Sequence, residues 1–145
     1  MARIRLELPS SFPFSTKIEV RISDINYGGH LGNDAMLSVI HEARLRFLKT
    51  FGWSEFNICG TSLIMTDCAI VYKSEVFHGE TLKIDVAIGD ITRTGFDFFY
   101  RIFSANTSKE VGKAKTGVAF FDYQKKKVTS TPESFLAKIP VSKTV

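Results

Sequence analysis

The longest helical pattern of this chain covers residues 33–50, and apolar residues occupy most of its faces. The pattern predicts a helix with Asn33 as its N-cap, ending before Gly52. A helix this apolar must be covered by other elements along much of its length. Four apolar residues fall at helical spacing on one face: Met36, Ile40, Ala43 and Phe47. Four more extend the apolar surface most of the way round: Leu37, Val39, Leu45 and Leu48.

The other periodic stretches alternate as strands do, one before the helix from Ser15 and four after it. No further helix is available as a parallel crossover, so we expect antiparallel pairing. The sequence therefore predicts an α+β fold in which a curved sheet of about five strands wraps around one long helix. The first strand after the helix is apolar on both faces, which predicts a central position. The later strands are predicted at 62–75, 81–90, 96–104 and 111–123.

The length of 145 residues predicts a single domain over 1–145, with an N-terminal arm at 1–14 and a tail or short helix at 126–145. The lysine run at 125–127 is predicted to be a solvated turn. Aromatic residues point to both sides of strand 96–104, so we expect an apolar outer sheet face that favours a homo-oligomer.

Composition and charge exclude several classes of function. The net charge of +4 favours anionic ligands, but basic and aromatic residues show no spacing typical of nucleic-acid binding. The chain has no signal peptide pattern and no apolar run of a membrane span's length of about 18 residues. Cys59 and Cys68 lack metal or redox spacing and are predicted to be reduced thiols. We expect a cytoplasmic protein without a metal or nucleic-acid partner.

Polar residues capable of chemistry are concentrated between the first strand and the helix. Asp24, Asn26 and His30 lie within seven residues, around the adjacent Gly28 and Gly29. Glycine lets the backbone approach a ligand closely, and a helix start offers free N–H groups and positive dipole charge. The stretch therefore predicts a site for an anion or a polarised carbonyl.

These residues resemble the signature of hotdog-fold acyl-CoA thioesterases similar to 4-hydroxybenzoyl-CoA thioesterase. That signature reads approximately Arg-x-x-Asp-x-Asp-x-x-Gly-His-Val-Asn-Asn-x-x-Tyr, with Glu-Ala-Arg further along the helix. The resemblance covers about residues 15–125. The positions that match in register are Arg21, Asp24, Gly29, His30, Asn33 and the run Glu42-Ala43-Arg44.

Three positions depart from that signature. Its second aspartate, usually the catalytic carboxylate, is Asn26 here; its first paired asparagine is Gly32 and its tyrosine is Met36. An amide cannot act as a base. We therefore expect Asn26 to position water or the thioester.

The resemblance implies hydrolysis of an acyl thioester of coenzyme A or acyl carrier protein, without a cofactor beyond the substrate's own coenzyme A. It also implies a homodimer or homotetramer joined through edge strands. The N–H groups of Gly28 to His30 are expected to bind the oxyanion. The predicted catalytic residues are Asn26, His30, Asp24, Gly29 and Glu42, and the predicted substrate-binding residues are Tyr27, Gly28, Asn33, Arg93, Lys113 and Lys115.

Other interpretations remain open at this point. The resemblance also extends to hotdog enoyl hydratases with an Asp-x-Asn-Pro-x-His signature, although Tyr27 replaces the proline and His30 comes one residue late. A non-catalytic acyl-ligand binding protein is a third possibility. Structural roles compete too, because Asp24 could cap its own loop and Glu42 could pair with Arg44 or Arg46.

Overall fold

The computed structural model describes residues 2–140 and contains one antiparallel sheet. Its strands run in the spatial order β1-β3-β4-β5-β2, and β6 pairs with the end of β5. The predicted α+β architecture is confirmed, with six strands instead of five. The elements in chain order are β1 (Phe14–Glu19), α1 (Asn33–Lys49), β2 (Ser62–Tyr72), β3 (Thr81–Gly89), β4 (Gly95–Ser104), β5 (Glu110–Asp122), β6 (Lys127–Val128) and α2 (Glu133–Lys138).

The sixth strand begins at the last residue of the lysine run, whose first two residues lie in the exposed turn that was predicted. Asp122 accepts the N–H groups of Gln124 and Lys125 through Oδ1, at 2.9 and 3.0 Å. This tight turn reverses the chain, so that Lys127 pairs with Asp122 and the next residue with Phe121. Two residues of pairing are too few to leave a periodic pattern in the sequence.

Strand β2 lies at the edge of the sheet, so its predicted central position is wrong. It pairs with β5 on one side, and a bulge between Met65 and Asp67 interrupts the register. The apolar residues that suggested a central strand are partly exposed, with Met65 at 42% and Tyr72 at 46%. Beyond Leu63, whose N–H donates to the backbone oxygen of Glu55, this edge strand of eleven residues leaves a row of backbone groups without a partner among residues 2–140.

The core lies between α1 and the inner face of the sheet. The predicted inward residues of β3, which are Leu82, Ile84, Val86 and Ile88, are all fully buried. Helix α1 buries one face against them, including Ile40, Ala43 and Phe47. Its opposite side stays open, since Leu37 and Leu45 remain 47% and 37% exposed. The helix is thus buried along much of its length, as predicted, but on one side only within this chain.

The chain's own N-terminal arm lies along part of the outer face of the sheet. Phe99 points to this face and is only 2% exposed. The Phe12 ring lies 4.4 Å from the Arg101 guanidinium carbon, and Leu6 to Leu8 line a depression together with Arg101 and Lys113. The expected large apolar outer patch is therefore absent from the described part of the chain.

The C-terminal helix α2 contributes an aromatic residue to the core. Phe135 of α2 is fully buried, with its ring centroid 4.9 Å from that of Phe96 and 5.2 Å from that of Phe120. Among residues 2–140, no helix is both long and apolar enough to cross a membrane.

Candidate active site

The loop between β1 and α1 begins with a single 3₁₀ turn that Asp24 stabilises. The Asp24 side chain is buried, and its Oδ2 accepts the N–H of Arg21 at 2.9 Å. The Arg21 guanidinium lies 3.6 Å from Oδ1 of the same carboxylate. Asp24 also accepts the N–H of Gly32 through its backbone oxygen, at 3.0 Å. The Asp24 carboxylate therefore caps its own loop, which is the structural alternative to the predicted catalytic role.

Asn26 holds the tip of this loop together. Its side-chain Oδ1 accepts the N–H of Gly28 at 2.9 Å, and its backbone oxygen accepts that of Gly29 at 3.0 Å. Its own N–H donates to the backbone oxygen of His30, also at 3.0 Å. Gly29 has a φ of +84°, a conformation that glycine adopts at little cost. The N–H groups of both glycines are thus engaged within the loop.

The free backbone donors lie at the start of α1, not at the glycine pair. Gly32 is the N-cap residue in place of the predicted Asn33, which is the first helical residue. Glycine has no side chain to cap the helix, and no hydrogen-bond partner within residues 2–140 accepts the N–H groups of Asn33, Asp34 and Ala35. These free donors and the helix dipole contribute positive partial charge at the start of α1, where the Asp34 carboxylate also lies in the first turn.

The loop and the helix start open into a cleft of about 310 Å³ whose third wall is the end of β2. The Tyr72 hydroxyl donates to the backbone oxygen of Asn33 at 2.9 Å and ties this wall to α1. Partial burial raises the pKa of the Tyr72 hydroxyl, which keeps it protonated as a donor. The cleft is lined by Asn26, His30, Leu31, Gly32, Asn33, Met36, Tyr72, Lys73, Ser74, Glu75, Val76 and Val111.

His30 has the geometry of a general base. Its Nδ1 lies 3.2 Å from the backbone oxygen of Leu31, and a carbonyl oxygen can only accept a hydrogen bond. This contact places the proton of the neutral ring on Nδ1 and leaves Nε2 with a lone pair. Nε2 lies 3.8 Å from Oε1 of Glu75, whose carboxylate would stabilise the ring once Nε2 takes up a proton.

Asn26 presents an amide donor beside this ring. Because its Oδ1 accepts the N–H of Gly28, its Nδ2 is left without a partner among residues 2–140. The two side chains lie close together: a Cβ added to Gly28 would be 3.2 Å from Asn26 Oδ1 and 3.4 Å from His30 Nε2. The cleft therefore combines a base, an amide donor and free backbone donors.

The other two predicted catalytic carboxylates are outside this cleft. Asp24 and Glu42 line a separate cavity of about 500 Å³ with Arg21 and Arg46. Glu42 Oε2 accepts the Arg46 Nε–H at 2.6 Å, which is the i, i+4 ion pair that was one of the two interpretations. The structure thus groups Asn26, His30 and Asn33 and separates them from these carboxylates.

The remaining predicted substrate-binding residues do not line the cleft either. Tyr27 is fully exposed at the loop tip beside Gly28, and Arg93 is exposed between β3 and β4. Lys113 lies on the outer face of the sheet, beside the N-terminal arm.

Lys115 is also on the outer face, where it is paired with two carboxylates. Its Nζ lies 2.7 Å from Asp67 and 3.5 Å from Asp97. Partial burial alone would lower the pKa of Lys115, but its hydrogen bond and attraction to Asp67 and Asp97 outweigh that effect and raise it. The positive charge of Lys115 is therefore already balanced by the carboxylates of Asp67 and Asp97.

Sequence reasoning missed Tyr72, Lys73 and Glu75, which form the third wall of the cleft. They follow the loop by forty residues or more, and no motif marks them. The only available signal was a polar cluster at the predicted end of the strand that begins at residue 62.

Comparisons with known proteins agree with this architecture. The family model of the thioesterase-like superfamily matches residues 20–139. A search of curated protein sequences found no match. Among solved structures, a 1,4-dihydroxy-2-naphthoyl-CoA thioesterase from Synechocystis is 20% identical with a TM-score of 0.78, over 86% of this chain and 93% of that one.

Two structures from Staphylococcus aureus share the fold as well. A DHNA-CoA thioesterase is 20% identical with a TM-score of 0.73, over 80% of this chain and 78% of that one. A protein in complex with CoA is 15% identical with a TM-score of 0.76, over 94% of this chain and 84% of that one. These likenesses confirm the predicted hotdog fold. With a family match that extends from the end of β1 through α2, the chain belongs to the thioesterase-like superfamily.

Proposed function

We propose that this protein hydrolyses an acyl thioester, carried by coenzyme A or by acyl carrier protein, in the cleft between Asn26, His30 and the start of α1. The observation that carries the proposal is the uncapped start of α1, whose free N–H groups adjoin a base and an amide donor in one cleft. The family match and the CoA thioesterases among the fold neighbours support the same reaction.

The free donors at the start of α1 would bind the thioester oxygen. Asn33 lines the cleft, and its N–H has no partner among residues 2–140. As water attacks, negative charge develops on the carbonyl oxygen, where fixed donors and the helix dipole stabilise it. In other enzymes, loss of one such donor costs about 2.7–4 kcal/mol of transition-state stabilisation.

His30 would move the proton. A water oxygen attacks the carbonyl carbon while His30 Nε2 takes one of the water's protons, and Glu75 stabilises the resulting imidazolium. The tetrahedral intermediate then collapses, the C–S bond breaks, and the leaving thiolate takes the proton back from Nε2. Asn26 Nδ2 would donate to the water or the thioester and hold it in line. In this mechanism His30 acts as the base, a role that the aspartate of the usual signature would have at position 26.

The same cleft favours hydrolysis over hydration of a double bond. A hydratase of the similar signature would bring the carboxylate of Asp24 to the same substrate as His30. Here Asp24 lines another cavity, and its carboxylate caps the loop. A binding protein without activity is the remaining alternative, and the amide at Asn26 is the feature that favours it.

The edge position of β2 supports assembly of two chains. Its unpaired edge would pair with the same edge of a second copy and extend the sheet, which removes an exposed edge strand. Because Tyr72 ends β2 and lines the cleft, such a dimer would place the partner next to the site. Sedimentation at micromolar concentration tests this arrangement, and a monomer would contradict it.

Thiol release from a panel of acyl-CoA thioesters tests the reaction itself. The panel should include short-chain, long-chain and aromatic acyl groups, together with the matching acyl carrier protein thioesters. We expect catalytic release of free thiol from at least one acyl class, and loss of release in His30→Gln. Saturable binding of the acyl ligands without any thiol release would support the binding-protein alternative instead.

A further inference from the structure

The N-terminal arm forms a basic groove on the outer face of the sheet. The groove has a volume of about 350 Å³, and Arg3, Arg5, Lys73 and Lys113 contribute four cations to its lining. Glu7 is its only acidic residue in the described part of the chain. None of the four cations forms an ion pair with any residue between 2 and 140, in contrast to Lys115 nearby. The groove therefore presents uncompensated positive charge.

The arm is fixed in place by contacts further along the chain. Phe12 lies against the Arg101 guanidinium at 4.4 Å, and Asp85 Oδ2 accepts two hydrogen bonds from Arg101, at 3.0 and 2.9 Å. Pro9 is buried. These contacts hold the strand of chain that leads to Arg3 and Arg5 against the sheet, so the groove is a built feature of the fold.

Lys73 connects this groove with the proposed active-site cleft. It follows the last residue of β2 and lines both cavities. A ligand extending from the cleft over this end of the sheet would reach the four cations without crossing the core.

We propose that this groove binds the phosphates of the nucleotide end of coenzyme A while the thioester occupies the cleft. This inference rests on the proposed thioester hydrolysis and names the carrier. Coenzyme A ends in a nucleotide with a diphosphate and a 3′-phosphate, whose several negative charges match four cations. The volume lies in the range of small-molecule sites. An acyl carrier protein offers one phosphodiester and a convex surface, which fits a concave groove less well.

Binding of adenosine 3′,5′-bisphosphate, measured by calorimetry, tests the groove without any need for hydrolysis. The variant is the double substitution Arg3→Gln and Arg5→Gln, which leaves the cleft intact. Its matched control is Lys49→Gln with Lys109→Gln, two exposed cations that line neither the groove nor the cleft. We expect the arm variant to bind the nucleotide at least about tenfold more weakly, since charge-assisted bonds are lost, and the control to bind it like the parent.

Kinetics with two forms of one substrate provide the second test. For an acyl-CoA thioester, the arm variant should show a KM raised at least about tenfold with kcat unchanged. For the same acyl group on pantetheine, which lacks the nucleotide, parent and variant should be alike. Unfolding midpoints of all variants show that the fold is retained.

The outcomes separate this inference from the proposed function. Failure of the parent to bind adenosine 3′,5′-bisphosphate, or equal binding by parent and arm variant, overturns the groove even if hydrolysis stands. The groove assignment is also overturned if the arm variant raises KM only for an acyl carrier protein thioester, since the groove would then bind a carrier protein. Nucleotide binding that depends on Arg3 and Arg5, with no thioester hydrolysed, supports the groove and contradicts only the proposed reaction.

Discussion

The side-chain oxygen of Asn26 accepts the backbone N–H of Gly28 at 2.9 Å. This bond fixes which end of the amide faces the loop, and it leaves the NH₂ group available to a ligand in the cleft. An aspartate at this position would accept the same bond from Gly28. It would then present a second carboxylate oxygen where Asn26 presents a donor.

Asn26→Asp should therefore keep the fold and keep or raise the hydrolytic rate. The loop bond survives, and the new carboxylate adds a base next to His30. The measurement is kcat for a CoA thioester together with the urea unfolding midpoint. A stable variant that loses activity would show that the amide NH₂ is needed as a donor and that a base at this position does not help.

Gly32→Ser should lower turnover without harming stability. A serine at the N-cap accepts the N–H of Asp34 or Ala35, which are two of the three free donors that we propose bind the thioester oxygen. We expect kcat to fall by about 100-fold, as for loss of one oxyanion donor. Stability should change by only a few tenths of a kcal/mol.

Gly32→Ala is the matched control for this serine variant. Either substitution adds a Cβ that meets Asp34 Oδ1 at 2.6 Å, so the difference between the two isolates the hydroxyl group. Equal kcat values for the serine and alanine variants would show that the free N–H groups of α1 take no part in the reaction.

Gly29→Val should destabilise the protein through the backbone. No atom lies within 4 Å of an added Cβ, so the cost does not arise from a clash within the chain. It comes instead from the φ of +84°, which costs an L-residue about 1–2 kcal/mol. Gly29→Asn should lose less stability than Gly29→Val, because asparagine tolerates this backbone conformation. Denaturant unfolding of the two variants measures the difference, and equal stability of both with the parent would refute the account.

Asp85 should make stability depend on acid pH. Burial alone would raise the pKa of Asp85, but hydrogen bonds from Arg101, Ser15 and Lys83 outweigh it and lower the pKa in the folded protein. The stabilisation is present above the ordinary aspartate pKa of about 3.9 and is lost as pH falls through the folded-state value. Unfolding free energies between about pH 6 and pH 2 should fall less steeply for Asp85→Asn than for the parent. Parallel curves would contradict this.

The sequence predicted the elements that have strong local periodicity. Helix α1, the alternation of β3 and the polar loop all follow from spacing along the chain, and the structure has them. The order of strands in space does not follow from spacing, so β2 was placed in the centre although it lies at the edge. The arm that packs Phe12 against Arg101 has no periodic pattern, so its packing could not be predicted from the sequence.

The candidate site was predictable only in part. Asn26, His30 and Asn33 are close in sequence and line one cleft, whereas Glu42 falls on another side of α1. Glu75 reaches His30 only through the return of β2 to the helix start. A contact of this kind depends on tertiary packing, and no local pattern records it.

The most direct test of the account is kcat/KM for CoA thioester hydrolysis by Asn26→Ala. Asn57→Ala is a matched control, because Asn57 Oδ1 accepts the N–H of Gly60 at the same 2.9 Å in a loop outside the cleft. The account predicts a fall of about 100-fold for Asn26→Ala, with kcat/KM for Asn57→Ala close to that of the parent. Unchanged kcat/KM in a folded Asn26→Ala protein would contradict the assignment of this cleft as the site of hydrolysis.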